Sequence, residues 1–234
     1  DGYVERVASH LIKAVREAGE RTSWASPDGE YEAALERYVR HALDPRRSRP
    51  LLDTLARYVA SIAPAAASNA IAQALLALTV PGIPDLYQGS EGEHLALTDP
   101  DNRRPVDYAA RVDALLRPPG ADLADLDAAK ARVVRTALAL RARCARAFTD
   151  GAYTPIAADG EHAARVIAFA RGQDVAVVVP RLVLPLTLGG TRPPVGAAWT
   201  DTQVALGEGR WRDCLTGYIH DGGTTPVAHL LREL

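Results

Sequence analysis

The chain has 234 residues and a formal net charge of -2, with 24% charged and 47% hydrophobic residues. That is the composition of an ordinary globular protein able to bury a sizeable core, and it excludes disordered, fibrous and disulfide-stapled classes. The near-neutral balance also excludes the concentrated basic face that a nucleic acid or an anionic membrane requires, which leaves neutral or weakly charged ligands.

In chain order, Val4, Val7, Ala8, Leu11, Ile12 and Val15 recur at helical spacing. They predict a helix over 3–18 that stops at Gly19. Ser26 and Pro27 read as the cap and first residue of a second helix, with Tyr31, Leu35, Tyr38, Val39 and Ala42 as its apolar stripe, ending near Leu43. After the breaker DPRRSRP, the segments Leu51–Ile62 and Ala65–Leu78 read as two helices parted by Pro64. No apolar run reaches the roughly 18 to 20 residues that cross a bilayer, and no leader pattern opens the chain, so a cytoplasmic location is expected.

The run TVPGIPDLYQG then changes character. Ile83 and Leu86, set among Pro81, Gly82, Pro84 and Gly89, predict a short buried strand that opens into a loop. A helix follows from Pro105 to about Arg117, PPGADLADL reads as a linker or a surface excursion, and Ala128–Arg146 is a long helix whose buried side holds Val133, Val134, Ala137, Leu138 and Leu140. From Gly151 the pattern becomes short apolar runs: RVIAFAR, DVAVVVP, LVLPLTL, WRDCLTG and VAHLLREL. These predict an antiparallel β module, so the chain divides into a helical part, 1–150, and a β part, 151–234.

Cys144 and Cys214 lie far apart with no CxxC, which reads as two free thiols, and the histidines have no metal-ligand spacing. Neither a metal nor an organic cofactor is expected. The chain contains no Met and begins inside a helical pattern, which predicts a piece of a longer polypeptide.

The chemistry is concentrated between Asp85 and Tyr108. Asp85, Glu91, Glu93, Asp99 and Asp101 supply carboxylates, Arg103 and Arg104 planar donor forks, and Tyr87 and Tyr108 aromatic faces. Carbohydrate sites use this mixture, because a sugar ring presents polar edges and an apolar face. The same charges can equally pair among themselves in a structured loop.

Several stretches carry a resemblance. PGIPDLYQGSE (81–91) is similar to the eighth strand and following loop of the α-amylase superfamily barrel. DPDNRRPVDY (99–108), LIKAVREAGERTSW (11–24) and YTPIAADGEHAARVIAFAR (153–171) resemble the maltooligosyltrehalose synthases within that superfamily, in order over nearly the whole chain, and LTG followed by an LL pair matches that family's closing β module. The resemblance implies an α+β chain: the C-terminal part of a (β/α)8 barrel, mostly helical here but including the last barrel strand, then an antiparallel β-sandwich. It implies an isomerase acting by intramolecular transglycosylation, a glucosylmutase that turns the reducing-end α-1,4 linkage of a maltooligosaccharide into an α,α-1,1 linkage in trehalose biosynthesis. The family's catalytic carboxylates lie upstream of the region matching Asp1. This chain is therefore expected to hold no catalytic residue, to be inactive alone and to need the missing N-terminal barrel segment as partner.

The residues that match the family's motifs, and that the resemblance assigns to maltooligosaccharide binding, are Lys13, Trp24, Tyr87, Gln88, Asp99, Asp101, Asn102, Arg103 and Arg104. Arg16, Glu17 and the Thr22–Ser23 turn match beside them, and the arginines can serve either as sugar ligands or as braces of the loop. The chain departs from the family pattern at Gly92, Glu93 and His94, where relatives carry a Leu-Trp-Asp-like triplet, so an aromatic platform is missing there. Without catalysis, the same residues read as a glucan-binding or scaffolding module.

Overall fold

The structure, a computed structural model, describes residues 2–117, 125–187, 190 and 192–232. Most of the expected surface excursion at 118–126 lies outside these. The described residues are about half helical, with two small antiparallel sheets, and the backbone groups into two compact units: 1–60 with 94–106, and 61–93 with 107–234.

The first unit is built on α1 (Gly2–Ala18) and α2 (Gly29–Ala42), which pack together along Ala8 and Val39, 5% and 3% exposed. Gly19 ends α1 with φ +68°, its N–H donating to the Val15 carbonyl, the left-handed stop that only glycine makes without strain. The cap of α2 is Asp28 rather than Ser26. Its carboxylate accepts from the Glu30 and Tyr31 amides at 3.1 and 3.0 Å, which satisfies first-turn donors that have no intrahelical acceptor. Tyr38, placed on the apolar stripe by spacing, stands 68% exposed.

α3 (Arg49–Thr79) is a single 31-residue helix, not two parted by Pro64. Pro64, Ala65 and Ser68 are buried side by side, and this packing outweighs the one backbone hydrogen bond that the proline removes. Joined in this way, the helix is long and apolar enough to cross a membrane by length and composition, against the expectation that no run reaches that length. In the second unit its apolar side instead packs Ile71, Ala72, Ala74 and Leu78 into the interior.

The predicted strand at Ile83–Leu86 does not form. These residues join no ladder and Ile83 is 98% exposed, because a strand needs edge partners and this chain places none beside it. α4 (Tyr108–Leu116) starts three residues later than Pro105 implied, capped by Asp107, whose carboxylate accepts from the Ala110 amide at 3.0 Å. α5 (Leu126–Arg143) is capped by Asp125, and the predicted long helix breaks at Cys144 before the short α6 (Ala145–Thr149). Leu138 is 46% exposed, off the buried side, which comprises Ala131, Val133, Val134 and Ala137.

The strands begin at Tyr153. β1 (Tyr153–Pro155), β3 (Val166–Arg171) and β4 (Val175–Pro180) form one antiparallel sheet in the order β1-β3-β4. β2 (Ala158–Asp159), β5 (Gln203–Arg212) and β6 (Ile219–Pro226) form the other, in the order β2-β5-β6. The described residues of LVLPLTL and VAHLLREL form no strand. They contain short helices, α7 (Leu184–Thr187) and α8 (Val227–Leu230), because apolar runs this short carry no period that separates a strand from a buried helical turn. The ladder of β5 with β6 shifts register between Leu206 and Arg210, and there a Cβ on Gly222 would stand 2.0 Å from the Gly207 carbonyl oxygen, so only glycine fits.

Both sheets and α3 contribute to one apolar cluster around Trp199, Val204, Val227 and Ala168, while Phe169, Val177 and Val179 pack on Ala72 and Phe148 in a second. Arg171, 3% exposed at the end of β3, donates to the Thr79 carbonyl at 3.1 Å and the Phe148 carbonyl at 2.9 Å, closing the C-terminal ends of α3 and α6 where helix carbonyls lack partners. Arg141 donates to the Leu78 carbonyl at 2.7 Å, and its guanidinium lies 4.7 Å from the Phe148 ring. Replacing Arg171 by Met keeps most of its volume and removes both donors. The loss of charge-assisted bonds and two stranded carbonyls lowers stability by about 2–4 kcal/mol, readable as a shift of the urea midpoint without change of slope.

Candidate functional site

In the first unit the loop 94–106 is organised by a carboxylate that the sequence placed in the site and an arginine that it did not. Asp101 accepts from Arg6 Nε and Nη2, both at 2.7 Å, and from the Leu97 amide at 2.7 Å. Arg104 approaches it at 3.2 Å and also donates to its backbone carbonyl at 3.0 Å. Arg6 and Arg104 both reach the Leu95 carbonyl, at 2.8 and 3.2 Å. With its side chain 11% exposed and its oxygens engaged by these donors, Asp101 is a brace. The Arg6 guanidinium holds the Asp101 carboxyl well below the usual carboxylate range.

Around this brace the other residues spread out. Asp99 pairs with Arg103 at 2.5 Å, and both are substantially exposed. Lys13 donates to the Asp99 backbone carbonyl and lies 3.7 Å from Glu17. The Asp99–Pro100 peptide is cis. Asn102 is half-buried, and its Oδ1 is enclosed without a hydrogen-bond partner, as is Nε2 of His94 at the start of the loop.

Trp24 is 61% exposed, with the Arg16 guanidinium 4.9 Å from the centre of its ring. Arg16 forks onto Glu32 at 2.8 and 2.6 Å, and Thr22 donates to the same carboxylate at 2.6 Å while accepting from the Asp28 amide at 2.9 Å, so the turn carrying Trp24 is tied to the start of α2. Trp24, Pro100, Lys13, Ser9, Glu36 and Arg40 line a cleft of about 370 Å³ along α1. A second cleft of about 250 Å³ runs between Arg6, Ser9 and His10 of α1 and Thr98–Asp101 of the loop.

In the second unit, Tyr87 is 43% exposed and Gln88 is exposed. The Tyr87 carbonyl accepts from the Ser90 amide at 2.9 Å, closing a turn at Gly89. Beyond it, the glycine at position 92 has a physical reason. A Cβ on Gly92 would stand 2.1 Å from Arg111 Nη1 and 2.3 Å from Asp127 Oδ1, so the glycine admits the Arg111–Asp127 pair, 2.9 Å apart. Lys130 donates to the Gly92 carbonyl and Arg111 to the Glu93 carbonyl, each at 2.9 Å, and Asp127 accepts from the Glu93 amide. Burial of the Lys130 ammonium pushes its pKa down.

The structure thus brings together Lys13, Trp24, Asp99, Asp101, Asn102, Arg103 and Arg104 in the first unit, while Tyr87 and Gln88 belong to the second. Spacing missed Arg6, Ser9, Glu36 and Arg40. The signal available was the polar stripe Glu5, Ser9 and Lys13, with Arg6 and His10 beside it, four residues apart on a helix whose other face is apolar. An aromatic face beside charged and hydroxyl side chains can hold a sugar ring. Among the described residues no group of three His, Cys, Asp or Glu side chains is arranged to hold a metal ion.

No family model matches the chain. Among curated proteins it is 40% identical over 229 residues to the "Putative maltooligosyl trehalose synthase" of Mycobacterium tuberculosis (strain ATCC 25618 / H37Rv), an alignment that takes in 98% of this chain and 27% of that protein. Among solved structures, the maltooligosyltrehalose synthase from Arthrobacter ramosus superposes with a TM-score of 0.81 at 39% identity, over 98% of this chain and 29% of that one. The structure titled a hypothetical maltooligosyl trehalose synthase from Sulfolobus tokodaii superposes with a TM-score of 0.72 at 26% identity, over 95% and 28%. The chain spans about a quarter of the length of the curated relatives it matches.

The ion pairs of the first unit make its stability depend on pH. The Arg16 and Thr22 donors lower the Glu32 carboxyl to about 2 from an ordinary value of 4.5, and Asp101 is depressed as well. A depressed carboxyl binds its proton more readily in the unfolded chain, so its contribution is complete above the ordinary value and lost as pH falls through the folded one. Unfolding of this unit therefore becomes easier from about pH 4.5 down to about pH 2. Glu32→Gln flattens that part of the profile, as read by hydrogen exchange of the α1 and α2 amides against pH.

Proposed function

We infer, from a chain related to the maltooligosyltrehalose synthases along 98% of its own length, that it supplies the C-terminal portion of such an enzyme. In this reading 1–150 carries the last helices of a (β/α)8 barrel with the loop of its eighth strand, and 151–234 forms the closing β-sandwich. The extended, unpaired Ile83–Leu86 segment is the eighth strand awaiting neighbours. The exposed apolar positions Leu51, Leu55 and Val59, at i, i+4 and i+8 on α3, are the surface that an N-terminal barrel segment covers. The observation that carries the reading is the in-order match at 39% identity and TM-score 0.81.

The reaction is then an intramolecular transglycosylation. A carboxylate of the missing segment attacks the anomeric carbon of the penultimate glucose, a second carboxyl protonates the departing oxygen, and the freed glucose returns its anomeric hydroxyl to the glycosyl-enzyme. This chain contributes binding and water exclusion rather than bond making. Trp24 and Tyr87 offer faces for sugar rings. Gln88, Asp99, Asn102, Arg103 and Lys13 offer polar atoms to hydroxyls, and Asp101 with Arg104 keeps the loop in place. Free Cys144 and Cys214 fit the reducing cytoplasm.

A second reading, a glucan-binding or scaffolding module without catalysis, is favoured only by the exposed Trp24 over a polar cleft. Maltopentaose separates the two. The 234-residue chain alone leaves its reducing ends unchanged, whereas a polypeptide that also carries the upstream barrel consumes them while forming trehalose-ended product. Turnover by the chain alone overturns the assignment of catalysis to the missing segment, and inactivity of the longer polypeptide leaves the binding module standing. In that longer polypeptide, Trp24→Ala or Tyr87→Ala raises KM for maltopentaose by up to about tenfold, the scale of one aromatic contact.

A further inference from the structure

The second unit contains a cavity of about 180 Å³ away from every residue discussed as a sugar ligand. Its walls come from α3, α5, β4, β5, β6, α8 and the 213–216 segment, and they are mainly aliphatic: Ile71, Leu75, Val133, Leu140, Val177 and Leu206. Thr79, Thr136, Arg212, Asp213 and Thr216 also line it, and two polar atoms on the wall are without a partner. Ser68, 1% exposed, has a hydroxyl without a hydrogen-bond partner, and Nε2 of His220 is likewise enclosed and unpartnered. A buried helical serine ordinarily returns its hydroxyl to the carbonyl one turn earlier, and leaving it unbonded is costly. The neighbouring Asp213 carboxylate is already engaged by the Leu215 and Thr216 amides and the Thr216 hydroxyl.

We propose that this cavity is a binding site for a small neutral amphiphile, a phenol- or alcohol-type molecule whose apolar body fills the aliphatic pocket while its single hydroxyl bonds Ser68 and His220. A charged ligand fits poorly, because the Asp213 carboxylate on the wall is already engaged and one free hydroxyl and one imidazole nitrogen replace little of an ion's hydration. Sugars are excluded because their many hydroxyls would find only these few partners, so the proposal stands apart from the glucan reading. The cavity lies between the helices and both sheets, so occupancy adds contacts to all of them and stabilises the unit as a ligand of the native state alone.

The probes are 4-methylphenol and toluene, titrated into the 234-residue chain by calorimetry and by ligand-observed NMR, with the cavity examined in crystals grown with each. Saturable binding of both is expected, 4-methylphenol the tighter. Ser68→Ala, a mild change within a helix, weakens 4-methylphenol about three- to tenfold and leaves toluene unchanged, as loss of one hydrogen bond requires. Thr136→Leu, which fills the cavity from α5, abolishes binding of both, and a retained thermal transition shows that the variant is folded. The proposal is overturned by absence of saturable binding up to the solubility limit, by equal weakening of both probes in Ser68→Ala, or by crystals in which ordered water alone bridges Ser68 and His220.

Discussion

The paired hydrogen bonds from Arg6 to Asp101 are the constraint on which the first unit's loop depends. A segment of this composition builds no ladder, so its backbone has to be satisfied by side chains. One guanidinium on α1 does much of this by gripping a carboxylate from both sides and reaching the Leu95 carbonyl with the same nitrogen. Once Asp101 is held, Asp99, Asn102 and Arg103 have fixed positions on either side of it, and Lys13 meets the Asp99 carbonyl from the same helix. Arginine suits the task better than lysine because its planar fork matches a carboxylate with little further loss of rotamer freedom.

The second unit uses the same device on helix ends. Arg171 and Arg141 close the last carbonyls of α3, and Arg111 with Asp127 and Lys130 clamps the backbone at Gly92–Glu93. These contacts locate both ends of the segment that carries Tyr87 and Gln88, while its middle, around Ile83, stays exposed and unpaired. The segment is thus held at its ends and open between them.

The helices of the first unit were legible because their apolar residues recur at three and four, and Gly19 signals its own left-handed turn. Pro64 misled because a local breaker is overridden when its neighbours are buried, and LVLPLTL misled because an apolar run this short fits a strand and a helical turn equally well. Within the site, the concentration of charge at 99–104 was plain, but its partner was not. Arg6 stands 95 residues from Asp101, and no local pattern links them.

The sequence by itself determined which segments are amphipathic helices, that the chain turns to short strands after Asp150, that polar chemistry gathers at 85–108, and which family the motifs resemble, because all of these are written in residue type and near-neighbour spacing. Only the tertiary structure decided that Asp101 is consumed as a brace, that Gly92 is glycine to make room for the Arg111–Asp127 pair, and that Ile83 has no strand beside it. The physical reason is that hydrogen bonds and ion pairs are settled by whichever groups the folded chain brings within about 3 Å, and those groups are remote in sequence.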